Sequence, residues 1–518
     1  MMFNINDKNL ISDINRDFCE EIKKREEMFA KKKFKHPLDD EVRELLKALI
    51  IDEKDTIEYS QVKQVDRLWI MLINKAIICL RFFDKREPFL NNQDKKPVAY
   101  GINKLEQYHE RYASFESLLY GASSYYRDHV FHVVRTWMLG VFCLLKSIKS
   151  NGEKLIDQIT IDGCADDTFS SDINFFEKIS MWTLIALCHD LGYPLEKSQQ
   201  ILDKTQKMMK EFIPNPNIWN NFGFSGVQDN INEYIIKFMS TKMMLVKTDC
   251  TRLRKNPNNE EHGEAQYSRE DNLYYGRVQP KYYLKYTKSL EHFDHGVISS
   301  VIIYKMLLYF LESDFNLNDD YEYKYEDARQ FYIRREILRA MASHTCSDIY
   351  NIYLTTFSSI LFICDELQEW GRKTWNELYS GLQSNAVNLS IDEFDPQAIS
   401  VKEEINMEQV EEEQIFIDNI KRIWKRQYEH YKVIFRDGQY TQAREFNYKK
   451  EMEIKLKQDG TDANLLRIQY ELKAKEKNYF RVDLSQSCQY GNEQIKKKLE
   501  KEIASSDNAD EIEITARA

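Results

Sequence analysis

Glycine and proline are scarce in this chain, with 16 and 9 residues among 518. So few turn-forming residues argue against a fold built mainly of short strands and predict long helices. The nine cysteines are scattered, and no two of them form a C-x-x-C pair. This spacing argues against a disulfide framework and favours free thiols in a reducing cytoplasm.

The chain also lacks long apolar runs and an excess of basic over acidic residues. The segment nearest to a membrane span, SSVIIYKMLLYFLES, is interrupted by Lys305 and falls short of the ~20 apolar residues that a span needs. The polar first residues, MMFNINDKNL, predict no signal peptide. The net charge is −11, which argues against an extensive nucleic-acid surface. We therefore expect a cytoplasmic protein without membrane association.

The pattern of apolar residues predicts a mainly α protein in three parts. Residues 1–95 are expected to form N-terminal helices, and residues 96–385 hold most of the histidines, six of them in or just before apolar helical segments. Within that middle part, residues 199–290 are expected to form an insertion or cap. Residues 386–518 are expected to form a small α+β module. It has strands at NLSIDEFD and AISVKEEI, a charged helix at about 407–436, and a hairpin in which EMEIKLKQ and LLRIQYEL flank DGTDAN.

The most informative segment is IALCHDLGYP. Trp182, Ile185 and His189 are spaced so that His189 lies on the buried face of a helix. Asp190 follows at once, and Gly192 then ends the helix. Because the backbone can turn at a helix end, both side chains can point at one ion. The His-Asp pair therefore predicts a metal dyad at a helix terminus.

Four more potential ligands lie on or beside apolar helical stripes. His132 lies within HVFHVVRTWMLG, and His295 lies at the start of HGVISSVII. His344 follows an apolar helix, and Asp365 continues the apolar stripe of FSSILFICDEL, which predicts that its carboxylate points into a core. Burying each of these groups separately costs solvation energy, whereas a shared metal would partner all of them.

The order His, His-Asp, His, His, Asp over residues 126–372 resembles the HD superfamily of metal-dependent phosphohydrolases, in a bacterial branch of poorly defined substrate. The resemblance implies an HD-type helical bundle that binds two divalent ions, chosen from Mn, Fe, Ni, Co and Mg. It implies Asp190 as the bridge between the ions. The implied ligands are His132, His189, Asp190, His295, His344 and Asp365. Tyr193 stands where the dNTP triphosphohydrolases have histidines, so the resemblance does not point to dNTP hydrolysis.

The resemblance also implies a reaction, in which a metal-activated hydroxide attacks the phosphorus of a small phosphorylated substrate such as a nucleotide. The negative charge of the transition state calls for a nearby cation, for which Lys197 is the first candidate and Arg127 and Arg372 are the next. Asp128 and His129 lie beside His132 and are candidates for orienting a ligand or donating a proton.

Two other functions stay open at this point. The same six ligands resemble those of HD-fold di-iron oxygenases, and the insertion with the C-terminal module would also suit a non-catalytic nucleotide sensor or scaffold. Phosphatase assays with Mn and oxygen-consumption assays with Fe(II) would separate the two enzymes, and failure to bind metal would favour the sensor. A homo-oligomer is compatible with each of them.

Overall fold

The computed structural model describes most of the chain, and every structural statement here concerns that part. It describes residues 2–29, 34–50, 55–86, 99–122, 128–146, 154–161, 168–211, 213, 227–246, 272–313, 315–316, 321–346, 349, 355–372, 387–394, 398–408, 447–458, 461–473, 479–484, 497 and 511–516. Arg127 and most of the charged helix predicted at 407–436 lie outside the described residues.

Helices dominate the described chain, as the scarcity of glycine and proline predicts. Their bounds are α1 Asp7–Ser12, α2 Cys19–Glu27, α3 Asp40–Lys47, α4 Val62–Phe82, α5 Ile102–Ala122, α6 Val130–Leu145, α7 Leu155–Gln158, α8 Thr168–Asp172, α9 Phe175–Cys188, α10 Tyr193–Met209, α11 Val227–Ser240, α12 Pro280–Glu291, α13 His295–Met306, α14 Leu308–Leu311, α15 Tyr325–Ser343 and α16 Phe357–Leu367. None of the described helices has both the length and the apolar composition needed to cross a membrane.

The strands form two sheets. Their bounds are β1 Phe3–Ile5, β2 Thr241–Leu245, β3 Leu273–Val278, β4 Tyr323–Lys324, β5 Val387–Phe394, β6 Ala398–Glu408, β7 Asn447–Gln458, β8 Thr461–Lys473, β9 Tyr479–Leu484 and β10 Glu511–Ala516. The larger sheet has the order β1-β5-β6-β7-β8-β9-β10, and the smaller has the order β2-β3-β4. The β6–β7 and β9–β10 pairs are parallel, and the other pairs are antiparallel. The prediction of a mainly helical protein with a small C-terminal sheet is thus confirmed, and the α+β character of residues 386–518 stays a prediction.

Helix α9 lies at the centre of the core, and every one of its residues is buried. It begins at a capping box formed by Asn174 and Glu177, and it packs against α4, α6 and α15. The indole N–H of Trp69 in α4 donates to the carbonyl oxygen of Leu187 at 2.9 Å. These contacts fix the end of α9, and so they fix the position of His189, which follows it.

The first strand of the chain belongs to the sheet at the other end of the sequence. Phe3 pairs with Ile391, and Ile5 pairs with Leu389, in an antiparallel ladder between β1 and β5. Ile5 and Leu389 are both buried in the same hydrophobic core as the central helices. The start of the chain is therefore held between the C-terminal sheet and the helical core.

Candidate metal centre

The His189-Asp190 pair lies in a four-residue turn between α9 and α10. Two hydrogen bonds tie this turn to α13: the amide of Gly192 donates to Oγ of Ser299 at 2.8 Å, and that hydroxyl donates to the carbonyl of His189 at 2.6 Å. A Cβ at Gly192 would lie 2.3 Å from the carbonyl oxygen of His295, so only glycine permits this close approach. The turn therefore brings Asp190 to the start of α13.

The start of helix α13 and the end of helix α15, which pack side by side, lie at the same place. Phe293 adopts a left-handed conformation, with φ of 56°, and so reverses the chain between α12 and the first residue of α13, His295. A Cβ at Gly296 would lie 2.4 Å from the carbonyl oxygen of Met341 in the last turn of α15. This approach places His295 beside His344, which directly follows α15.

On one side of the centre, two imidazoles face two carboxylates. Nε2 of His132 lies 2.7 Å from Oδ1 of Asp365, and Nε2 of His189 lies 3.6 Å from the same oxygen. The Oδ2 atom of Asp190 lies 3.7 Å from Nε2 of His132 and 3.4 Å from Nε2 of His189. We call this group the first position.

On the other side, the second oxygen of Asp190 faces a second pair of imidazoles. Its Oδ1 atom lies 3.2 Å from Nε2 of His295 and 3.8 Å from Nε2 of His344. The two Nε2 atoms are 3.1 Å apart. We call this group the second position, and Asp190 is common to both positions.

All four imidazoles are oriented by an acceptor at Nδ1. The pairs are His132 with Oε1 of Gln368, His189 with the carbonyl of Ala186 at 2.8 Å, His295 with Oε2 of Glu196 at 2.6 Å, and His344 with the carbonyl of Met341 at 2.5 Å. The Gln368 amide is itself fixed, because its Nε2 donates to the carbonyl of Trp370 at 2.8 Å. An Nδ1 that donates its proton leaves Nε2 with a lone pair, which is the form of histidine that binds metals.

This donor set suits a metal ion. The Nε2 atom of His189 is buried without a hydrogen-bond partner among the described residues, which is costly unless a cation accepts its lone pair. Donor atoms about 2.1 Å from one ion lie roughly 3.0–3.5 Å apart, close to the distances above. Among the described residues, two groups could hold a metal ion: His132, His189 and Asp365, and a second group that draws on both positions, His189, Asp190 and His344.

The two carboxylates of the centre carry the charge that metal ligands need. Burial would raise the pKa of Asp190, but His189 and His295 hold that pKa well below its usual value. Burial likewise opposes ionisation of Asp365, and the hydrogen bond from His132 keeps its pKa low. Although burial lowers the pKa of His295, the acceptors around that ring raise it to about 10, so a metal ion would have to displace the proton on its Nε2. Both carboxylates are therefore ionised at neutral pH.

Asp365 is less buried than its helical stripe predicts. Its side chain is 32% exposed, because it lies in the last turn of α16, where the helix approaches the surface. The side chain of His295 is 17% exposed, whereas those of His132 and His189 are at most 1% exposed. Asp365 and His295 therefore mark the side from which a substrate can enter.

The three predicted catalytic residues closest to the ligands in sequence have different surroundings. Nζ of Lys197 lies 2.6 Å from Oε1 of Glu196 and 4.8 Å above the ring of Tyr193. The ring of His129 lies 4.1 Å from that of Tyr193, and burial lowers the pKa of His129 to about 3. Asp128 accepts a hydrogen bond from an amide in the first turn of α6. Lys197 and Asp128 thus have partners already, and His129 is neutral at physiological pH.

Arg372, the remaining predicted cation among the described residues, is half-buried beside the first position. Burial lowers the pKa of His132, and the positive charge of Arg372 lowers it further. The Nε atom of Arg372 is buried and has no hydrogen-bond partner in the described part of the chain. The Nε–H of Arg372 therefore lacks an acceptor among the described residues, whereas the ammonium of Lys197 has one.

Two residues that touch the ligands were not predicted from the sequence. Gln368 follows Asp365 by three positions, a spacing that could have placed it on the same helix face. Glu196 gave no comparable signal, because its partner His295 is 99 positions away. Its hydrogen bond arises only where α10 crosses the start of α13.

Comparisons with known proteins identify no family for this chain. A scan against models of protein families found no match, and searches of curated proteins and of solved structures returned none. The centre is therefore assigned from the arrangement of this chain's own donor atoms.

Proposed function

We propose that this chain is an HD-type metal-dependent phosphohydrolase that cleaves a phosphomonoester or phosphodiester, with a nucleotide as the expected substrate. The observation that carries the proposal is the position of Asp190, whose two oxygens face two separate pairs of imidazoles. Such a carboxylate can bridge two ions, which is the arrangement that hydrolases use to cleave phosphate esters.

The donor types support divalent ions of intermediate hardness. Imidazole and carboxylate ligands, without a thiolate, suit Mn, Fe, Ni, Co or Mg. His132, His189 and Asp365 would hold one ion, His295 and His344 would hold the other, and Asp190 would hold both. When bound, two such ions lower the pKa of a water molecule and polarise the phosphoryl group that it attacks.

Arg372 supplies what the ligands lack, a positive charge for the substrate. Its buried Nε has no partner among the described residues, and its charge is close enough to lower the pKa of His132. A guanidinium can donate two parallel hydrogen bonds to a phosphate, and these strengthen as negative charge grows in the transition state. A cation at this place favours a phosphate ester over dioxygen as the substrate.

The residues around Tyr193 complete the wall of the site. Lys197 is bound to Glu196, so its charge is shared with a carboxylate that also orients His295. His129 stacks against Tyr193 as a neutral ring. These groups shape and polarise the entrance, and Arg372 makes the direct contact with phosphate.

The test is a screen of Mn-loaded protein against p-nitrophenyl phosphate, bis-p-nitrophenyl phosphate and nucleotides. We expect hydrolysis of at least one ester. Arg372→Ala should lower kcat/KM by about 10²-fold with metal content unchanged, because one transition-state donor is lost, and Arg372→Lys should recover part of the loss. The matched control is Arg25→Ala in α2, which removes an arginine paired with Asp157 at 2.8 Å.

Three results would contradict the proposal. One is the absence of hydrolysis by protein that carries two ions. Another is an Arg372→Ala variant with the rate of the wild type. The third is oxygen uptake by Fe(II)-loaded protein without phosphate release, which would identify an oxygenase instead.

A further inference from the structure

Asp7 is a buried carboxylate that holds three distant segments together. Its side chain is 0% exposed. It accepts hydrogen bonds from the amide of Ile57 at 2.7 Å, from Nε of Arg135 at 3.1 Å and from the indole N–H of Trp370 at 2.9 Å. A buried carboxylate with this many donors strongly restrains the segments that supply them.

One path leads from Asp7 to a metal ligand. The carbonyl of Trp370 accepts from Nε2 of Gln368 at 2.8 Å, and Oε1 of Gln368 accepts from Nδ1 of His132. Because Asp7 fixes the indole of Trp370, it also limits the movement of the Gln368 amide. The orientation of His132 therefore depends on a residue at the start of the chain.

A second path leads from Asp7 to Arg372. Arg135 donates from its NH1 group to the carbonyl of Gly371 at 3.1 Å. Gly371 has a φ of +69°, and a Cβ there would lie 2.9 Å from Cζ of Arg135, so the guanidinium packs directly on this backbone. Arg372 is the next residue. The contacts of Arg135 with Asp7 and Gly371 therefore fix the backbone position from which the side chain of Arg372 extends.

Asp7 is itself held by the C-terminal sheet. It follows Ile5, which pairs with Leu389 of β5, and Asn6, whose side chain caps α1 through the amide of Asn9 at 2.7 Å. The hydrogen-bonded path therefore runs from the sheet through β1 to Asp7 and then to the first position.

We infer that Asp7 is a positioning residue for the first position and for Arg372, and that it couples the C-terminal sheet to the metal centre. The role of Arg372 rests on the proposed function, whereas the effect on metal binding does not. Among the described hydrogen bonds, no such path connects Asp7 to His295 or His344, whose Nδ1 partners are Glu196 and Met341. Loss of the Asp7 carboxylate should therefore weaken metal binding more at the first position than at the second.

The experiment is a calorimetric titration of the metal-free protein with Co(II), with the visible Co(II) spectrum as a second readout. Asp7→Asn should weaken binding at the first position by about 10- to 100-fold, the usual effect of losing a group behind a ligand, and should change the spectrum of that ion. The second position should keep its affinity. Repeating the titration in a His295→Ala/His344→Ala background isolates the first position.

Asp84→Asn is the matched control. Asp84 is 1% exposed and accepts from Arg86 at 2.9 Å, but it contacts none of the six ligands. We expect this variant to lose stability with Co(II) affinity unchanged. If Asp7→Asn does not fold, Trp370→Phe decides the question, because it removes one donor to Asp7 and keeps an aromatic ring. We expect Co(II) binding at the first position to weaken several-fold in this variant.

Wild-type affinity in both Asp7→Asn and Trp370→Phe overturns the inference, as does equal weakening at the two positions. Wild-type protein that binds two Co(II) ions and hydrolyses no ester rejects the proposed function, and the titration still decides the role of Asp7. Wild-type protein that binds no Co(II) rejects both.

Discussion

The two positions of the metal centre are built differently. At the first position, the rings of His132 and His189 are almost fully buried and are oriented by neutral acceptors, an amide and a backbone carbonyl. At the second position, the partly exposed ring of His295 is oriented by the carboxylate of Glu196. The two imidazoles of the first position are therefore enclosed and have neutral supports, whereas the second position has a partly exposed imidazole that is supported by a carboxylate.

The difference suggests a division of labour. Two enclosed imidazoles with neutral supports are held firmly in place, so the first position suits an ion that stays bound although its Asp365 faces the entrance. A ligand backed by a carboxylate is a stronger base, and partial exposure leaves room for substrate. On this comparison, we expect the first position to hold its ion more firmly than the second.

The strongest test of the comparison removes the residue common to both positions. Asp190→Ala should remove bound metal and lower the rate by on the order of 10³-fold or more, because neither ion can then activate water. The fold should persist, since α9 is held by contacts such as the indole of Trp182 on the carbonyl of Trp137. Elemental analysis, a rate assay and a thermal melt measure these effects.

Asp327→Ala is the control for that variant, because it removes a carboxylate paired with Arg86 outside the centre. Near-wild-type turnover in a metal-analysed Asp190→Ala sample would show that the centre is misassigned.

The next test separates the two positions. Replacing His295 and His344 together with alanine should reduce bound metal from about two ions to about one. The rate should fall by roughly 10²-fold or more, because a single ion cannot stabilise both the attacking and the leaving oxygen. If the two rings only fill space, metal content will be unchanged and the melting temperature will drop.

The control is the double variant His36→Ala/His109→Ala, which removes two buried imidazoles outside the centre. It should lose stability with its metal content intact.

The smallest effect concerns the carboxylate behind His295. The hydrogen bond from His295 overcomes the effect of burial and lowers the pKa of Glu196 to about 2, so Glu196 is ionised. Glu196→Gln should weaken metal binding about tenfold at the second position and leave the first unchanged, because His295 becomes a poorer base. Lys197→Met removes the other partner of Glu196 and should change affinity much less. Equal effects at both positions would contradict the comparison.

Much of the helical framework could be predicted from the sequence. The spacing of Trp182, Ile185 and His189 predicts the buried face on which α9 carries its terminal histidine, and all of α9 is indeed buried. The alternating residues after 386 predict β5 and β6, and the turn at DGTDAN predicts the β7–β8 pair. Each of these signals repeats within a few residues and needs no knowledge of distant neighbours.

Other features could not be predicted in this way. Neither β1 nor the three-stranded sheet has a local signal, because β1 is only three residues long and its partner lies near the other end of the chain. The exposure of Asp365 depends on where α16 ends, which its apolar stripe does not indicate. The preference for Lys197 as the cation was made without knowing that Glu196 binds it.

The sequence by itself determined the helical character of this protein and the kinds of donor atom in its centre, because periodicity and residue type are local properties. Only the tertiary structure decided which donors share Asp190, which groups orient them, and that Asp7 contacts Trp370 across 363 positions of sequence. These contacts arise where glycines allow helix ends to converge and where buried polar groups must find partners, and both conditions depend on the packed chain.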